Sequence, residues 1–560
     1  MPFRPASGVL PELDDPRARP PTGAVVPSAY TGMVSNESSI PMIPRRRKPE
    51  VLAPAGNLRG LKTAVDFGAD AVYCGGKAFG MRSAPKNLSL EDFEEGSRYA
   101  HERGARVYVT CNILPRNGEV EDMCAYIGQL KDTGVDALIV TDIGVLMAAH
   151  RIAPELELHV STQAGVTNYL AANALYELGA RRVVLARELD LQAVRDIRAN
   201  IPDDMDVECF VHGSMCMAFS GRCLISNYLT GRDGNHGECA QPCRWKYSLV
   251  EEKRPGQVFP LEETREGTYL FNSQDMCMME HLDDLIDSGA TSLKIEGRAK
   301  SAYYIAAMAN AYKMAVDEYM VQRGFEDADG TPLKAFHDRV IRPGRPLPGD
   351  LAEELARLDA AAGNGDATAD DILAHADEAF SGVPDLAVPD DDGNDEDNGG
   401  DGNGSKQGEG GRHWRHARVV PAPHVELAAW LKEEPYKVAH RDYSTGFYYP
   451  QRHAVQNTDR SAYFRSWLVV GETLGWTPDE GGRVTLMSRN KIEPGQEIEF
   501  LIPGREPMTY VVPGQLRDGE GNPVAAINNP AHVFSMPCPH QVPVNAAIRS
   551  RTKHPTLKAA

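Results

Sequence analysis

EVLAPAGNLRGLKTAVDFGADAVYCGG, residues 50–76, fits a strand, a helix and a second strand into one short unit. The apolar runs EVLAPAG (50–56) and AVYCGG (71–76) read as strands, and the segment between them as a helix ending at the glycine of GAD (68–70). Glycine closes a helix there because it enters the left-handed conformation without a Cβ clash. Strand, helix and strand in succession predict a parallel pair joined by a crossover.

The alternation continues downstream. RVYVTCN (106–112), ALIVTD (137–142), ELHVSTQ (157–163), RVVLARE (182–188), DVECFVHG (206–213) and SLKIEGR (292–298) bring the strands to eight. Helical stretches such as LEDFEEGSRYAHERG (90–104) and NYLAANALYELG (168–179) separate them, and SAYYIAAMANAYKMAVDEYM (301–320) closes the set. Eight repeats over ~250 residues predict a (β/α)8 TIM-like barrel, placed at 49–323. A doubly wound open sheet is the alternative, but no Gly-rich dinucleotide fingerprint follows any strand.

In such a barrel chemistry belongs to the loops at the carboxyl ends of the strands. Asn112, Asp142, Thr162, Gln163, Arg187, Glu188, His212, Lys294, Glu296 and Arg298 fall there. So does a Cys-rich insertion after strand 7, at 212–247, which holds four of the ten cysteines: Cys216, Cys223, Cys239 and Cys243. Four thiols at these spacings can hold zinc or an iron–sulfur cluster. Structural zinc sites favour two close Cys-x2-Cys pairs, whereas the closest pair here has three intervening residues, so the spacing leans towards iron–sulfur. The other six cysteines read as small buried hydrophobes.

Around the cysteines run Arg222, Arg232, Arg244, Trp245 and Lys246, cations interleaved with an aromatic as single-stranded RNA binding requires. A solvated loop face is the plainer reading. His212 is a candidate acid, base or ligand. Lys294, Glu296 and Arg298 alternate along one strand and so face one side, where they must pair internally or meet an anionic ligand. These four are the catalytic candidates. For peptidase chemistry there is no His-Glu-x-x-His helix and no Gly-x-Ser-x-Gly elbow, and FSGRC (219–223) puts Ser220 near His212 without a third orienting group.

The chain has 560 residues, more than one core of ~250–300 residues accommodates. Residues 1–48 read as a disordered leader ending in RRRK (45–48). Segment 324–412 reads as an acidic flexible insertion: residues 324–411 hold 22 of the 79 acidic and 6 of the 59 basic side chains. The remainder is close to balanced, 57 acids against 53 bases, so the net charge of -20 does not exclude RNA. A helical connector is expected at 413–459, a small antiparallel β-barrel at 460–548 and a tail at 549–560. No window approaches the ~18 apolar residues of a membrane span, and residues 1–44 lack a signal-peptide core. A cytoplasmic protein without a membrane partner is the expectation.

VLAPAGNLRGLKTAVDFGADAVYCGG (51–76), HGSMCMAFSGRCLISNYLTGRD (212–233), GECAQPCRW (237–245) and SLKIEGRAKSAYYIAAMANAYKMAVD (292–317) together resemble the collagenase-like peptidase family numbered thirty-two among those of unknown catalytic type. Within it the likeness is greatest to the bacterial branch that hydroxylates wobble uridine of tRNA at C5. The likeness covers roughly residues 50–322 and 425–545. It implies a 4Fe-4S cluster on Cys216, Cys223, Cys239 and Cys243, with Cys277 an outside candidate for the last ligand. It further implies prephenate as anionic hydroxyl-donor co-substrate, the tRNA anticodon loop as partner and a possible electron-donor protein. Related members hydroxylate a ribosomal RNA cytidine or a quinone precursor, and the family label itself suggests a peptidase. A zinc-stabilised RNA-binding module is the non-catalytic alternative.

Overall fold

The structure, a computed structural model, describes residues 48–80, 87–216, 218–219, 222–245, 248–250, 258–260, 273–325, 424–449 and 463–556. The expected leader, apart from Lys48, and nearly all of the acidic insertion lie outside these residues. No described helix is long and apolar enough to cross a membrane.

The opening unit folds as β1 (Glu50–Ala55), α1 (Leu58–Asp66) and β2 (Ala71–Gly75), with parallel pairing from Leu52–Ala71 to Ala55–Cys74. The Asn57 side chain caps α1 by accepting from the Gly60 amide, and Gly68 at φ +101° turns the chain back towards β2. There follow α2 (Leu90–His101), β3 (Arg106–Cys111), α3 (Val120–Leu130), β4 (Ala137–Val140), α4 (Ile143–Ile152), β5 (Glu157–Val160), α5 (Tyr169–Glu177), β6 (Arg182–Val184), α6 (Leu191–Ala199) and β7 (Asp206–Ser214). Then come α7 (Ile225–Thr230), β8 (Ser248–Val250), β9 (Val258–Pro260), β10 (Asp275–Cys277), α8 (Leu282–Asp287), β11 (Ser292–Ile295) and α9 (Ala302–Gln322).

β1 to β7 pair in parallel in sequence order, and β11 pairs in parallel with both β7 and β1, so the eight strands close into the expected TIM-like barrel. An apolar layer led by Val51, Val72, Val107, Leu138 and Val207 packs the strands against the helices. Inside, Leu52, Tyr73, Tyr108 and Ile139 form a small separate cluster. Below and beside it the interior is ionic. Arg182, 2% exposed, donates to Glu50 Oε1 at 2.6 Å, Glu208 Oε2 at 3.2 Å and Asp206 Oδ2 at 3.1 Å, and Lys294 donates to Glu208 Oε1 at 2.6 Å. Burial pushes the Glu208 carboxyl up, but the facing Lys294 and Arg182 outweigh it and hold it below its ordinary range.

Two strands that period and propensity do not announce extend the sheet. β7 splits its partners: its middle pairs with β11, and His212 to Ser214 pair antiparallel with β10. After α10 (Ala429–Lys437), β12 (Tyr443–Ser444) adds to β10. The connector region is thus partly built into the barrel rather than purely helical, and Tyr448 donates to the Phe210 carbonyl at 2.9 Å.

The C-terminal strands are β13 (Arg465–Thr477), β14 (Arg483–Ser488), β15 (Glu497–Leu501), β16 (Met508–Val511), β17 (Leu516–Asp518), β18 (Pro523–Val524), β19 (Val533–Pro537) and β20 (Ala547–Thr556). They form an antiparallel sheet curled around its own core of Val484, Leu486, Phe500, Phe534 and Ile548. The expected tail at 549–560 is corrected: β20 runs to Thr556 and lies between β13 and β15. The reason is Arg549. Its fully buried guanidinium donates to Glu434 of α10 at 2.8 Å and, through Nε, to Glu499 of β15 at 2.8 Å, and so pins the sheet to the barrel side. A charged residue there reads as solvent-exposed tail until its two carboxylates are known.

Candidate functional site

The cysteine loop starts where β7 ends, and a few hydrogen bonds fold it back on itself. The Arg244 guanidinium donates to the Met215 carbonyl at 2.5 Å and to Ser273 Oγ at 2.8 Å, which brings Cys243 beside Cys216. The Asn235 amide donates to the Cys223 carbonyl at 3.0 Å, and the Ala240 amide to Ser226 Oγ at 2.9 Å, which brings Cys239 beside Cys223. Burial pushes the Cys243 thiol up, Arg244 pulls it down, and the sulfurs of Cys216, Cys239 and Cys223 push it up again, so all four thiols share one electrostatic neighbourhood. The Gln241 amide approaches Cys239 Sγ at 3.4 Å, a donor to sulfur of the kind that tunes a cluster.

Sulfurs around one tetrahedral zinc ion sit ~3.8 Å apart at a Zn–S length of ~2.3 Å. Among the described residues no three of these sulfurs lie within 4.8 Å of one another. The donor set is thus four soft thiols gathered on one loop. The single described trio of potential ligands that does come that close is Asp283, Asp284 and His424. There His424 Nδ1 meets Asp283 Oδ2 at 3.1 Å and the Val425 amide donates to the same oxygen at 2.8 Å, tying the returning chain to α8.

Of the expected RNA-contacting residues, Arg222, Arg232 and Trp245 are exposed, whereas Arg244 is spent on the loop's own carbonyls. Lys246 and Ser220 lie outside the described residues. Sequence inspection passed over Tyr228, which stands 83% exposed on α7 beside the cysteines, with Leu224 and Leu229 also exposed. An aromatic inside an ordinary amphipathic stretch gave no signal of it.

Lys294, Glu296 and Arg298 climb the barrel interior. Lys294 is held by Glu208, with Tyr73 under its ammonium at 4.5 Å. Glu296 receives the Tyr73 hydroxyl at 3.4 Å, and Arg298 donates to Thr110 Oγ1 at 2.8 Å near the end of β3. At the same level Asn112 Nδ2 donates to Gln163 Oε1 at 3.0 Å and Thr141 Oγ1 to the Asn112 carbonyl at 3.0 Å. The buried Gln163 Nε2 has no hydrogen-bond partner among the described residues. Arg187 stacks on Phe210 at 4.2 Å and donates to the Ser214 carbonyl at 2.7 Å, bracing the start of the cysteine loop. The mouth therefore offers guanidinium and amide donors beside a thiol cluster.

His212 sits deeper, 1% exposed, with Nδ1 at 3.2 Å from the Tyr312 hydroxyl and Nε2 at 3.4 Å from that of Tyr443. Burial holds its pKa down to about 3, against the pull of Asp275 and with Lys300 and His440 adding to the depression. Unfolded, the imidazole binds a proton near pH 6.5, so acid favours the unfolded chain. The stability contributed by neutral His212 is complete above that value and declines as pH falls towards 3. His212→Gln is expected to flatten the acid-side loss of denaturant midpoint between about pH 6.5 and 4.5. Equal slopes in the two proteins would count against this account.

With the site described, comparison with known proteins decides the family. Peptidase family U32 matches residues 56–344, and its C-terminal domain matches residues 465–549. The chain belongs to peptidase family U32. It is 44% identical over 274 residues to the tRNA hydroxylation protein P of Helicobacter pylori (strain J99), a match spanning 48% of this chain and 65% of that one. It is 35% identical to the tRNA hydroxylation protein P of Escherichia coli K12, over 53% of this chain and 74% of that one. The 23S rRNA 5-hydroxycytidine synthase of the same organism is 39% identical, over 49% of this chain and 40% of that one.

Proposed function

We propose that this U32 protein is an RNA hydroxylase that converts the wobble uridine of tRNA to 5-hydroxyuridine, using a 4Fe-4S cluster on Cys216, Cys223, Cys239 and Cys243 and prephenate as the anionic hydroxyl donor. The observation that carries the reading is the gathering of four thiols at the carboxyl mouth of a barrel whose relatives are named for RNA hydroxylation. Four thiol donors with a backbone amide aimed at one sulfur support such a centre. Bound there, such a cluster would supply one-electron transfer chemistry.

The protein's own groups do the rest. Exposed Arg222 and Arg232 meet phosphates and Trp245 and Tyr228 stack an unpaired base, the means by which single-stranded loops are held. Arg298 at the mouth receives a donor carboxylate. Lys294, committed to Glu208, adds positive charge from the floor rather than a direct contact. Gln163 Nε2 supplies one further donor.

The test is the nucleoside content of tRNA from a strain lacking this protein and from its parent. The expected result is loss of 5-hydroxyuridine and its derivatives from the deletion strain and their return on complementation. A change confined to ribosomal 5-hydroxycytidine would transfer the activity to rRNA. Unaltered tRNA and rRNA would remove the RNA hydroxylase reading altogether.

A further inference from the structure

A groove of about 940 Å³ lies away from the barrel interior, where α1 and the start of α9 face β13 of the C-terminal sheet. Its walls carry Arg59, Lys62, Lys300, Arg465 and Arg489 against only two carboxylates, Asp66 and Glu472. In a chain of net charge -20 this is a local reversal of sign. Neutralisation is partial: Lys62 pairs with Glu95 at 2.6 Å, and Arg59 and Arg489 share the single Glu472, the latter at 3.1 Å. Arg465 is exposed, and among the described residues neither it nor Lys300 has an ion pair; the Lys300 ammonium lies over the faces of Tyr463 at 4.4 Å and Tyr304 at 5.2 Å.

We propose that this groove binds the sugar–phosphate backbone of the substrate RNA outside the reacting loop, so that the C-terminal sheet acts as a second grip on the nucleic acid. The inference rests on the RNA hydroxylase reading. Three features favour RNA over a small anion or a protein segment. The cations come from separate elements, Arg59 and Lys62 from α1, Lys300 from the loop before α9 and Arg465 from β13, as a repeating phosphate chain demands. An exposed aromatic, Tyr463, lies against Lys300, the pairing of cation and ring used for nucleic-acid backbones and bases. And Lys300, in the groove lining, lies two residues beyond Arg298, whose guanidinium reaches Thr110 near the end of β3, so the groove adjoins the loop that follows β11. Arg549, which fixes the sheet against α10, holds the two walls in register.

The experiment measures binding of the full chain to an unmodified tRNA transcript with uridine at the wobble position, by fluorescence anisotropy over a series of salt concentrations. Lys300→Glu with Arg465→Glu is expected to weaken binding at least ~10-fold at moderate salt and to make the log–log salt dependence shallower by about 1.5, since each phosphate contact contributes ~0.7–0.9. Lys300→Arg with Arg465→Lys keeps affinity and slope. Lys300→Gln with Arg465→Gln falls between them while melting with the parent, which separates binding from folding. If the parent binds tRNA and the charge-reversed protein matches it in affinity and slope, the groove assignment is overturned and the hydroxylase reading stands. If the parent itself does not bind tRNA, both fall together.

Discussion

Serine in place of Cys223 or Cys239 is expected to lower the 5-hydroxyuridine content of tRNA at least ~100-fold and to strip iron and sulfide from anaerobically purified protein. Outer-shell changes around metal sites cost ~10–100-fold, and loss of a direct ligand should exceed that. The effect should be local, because both residues lie on a loop held by Arg244, Asn235 and Ser226, not in the barrel core. The barrel's thermal transition is therefore expected to stay close to that of the parent. Cys124→Ser is the control, a half-exposed cysteine on α3. Cys277→Ser discriminates the ligand set: burial pushes that thiol up to about 11, and it lies 3.8 Å from the Tyr312 hydroxyl opposite His212. Iron that survives Cys243→Ser and disappears in Cys277→Ser would move the fourth ligand into the barrel wall.

The second large effect is on stability. Arg182→Leu leaves Glu50, Asp206 and Glu208 facing one another inside the barrel, with Lys294 still paired to Glu208. Breaking a buried ion pair from one side costs ~3–5 kcal/mol, a large share of the ~5–15 kcal/mol that holds a domain together. For a unit of this size the melting point should drop by roughly 10 °C. The deficit has a sign with pH. With the cation gone the clustered carboxylates bind protons more readily folded than unfolded, so the gap to the parent should narrow as pH is lowered from neutral towards about 5. Lys294→Met should cost less, since Arg182 still faces Glu208 at 3.2 Å. A variant lacking Arg182 that melts with the parent would show the network to be dispensable.

Much of this was legible one element at a time. The eight strand runs of the barrel needed only apolar period and helix-ending glycines such as Gly68 and Gly179, because secondary structure follows local periodicity. The cysteine loop was legible too, since four thiols in 28 residues of a cysteine-poor chain are a compositional signal. β10 and β12 were not: three and two residues long, they exist because β7 outruns β11 and leaves an edge to pair. The charge of Lys294 pointed to an anionic ligand ahead of an internal partner. Glu208, 86 positions away, settles that contact.

The sequence alone determined a repeating strand–helix architecture, a thiol-rich loop at the catalytic end of it and a β-rich C-terminal unit. These are local properties, written in the spacing of neighbouring residues. Only the tertiary structure decided which charges meet, because barrel closure brings Glu50 to Arg182 across 132 positions and β20 carries Arg549 to Glu434 across 115. It also decided that the cations of α1, the β11 to α9 loop and β13 line one groove. Long-range juxtaposition depends on strand register and domain packing, and no period within the chain encodes it.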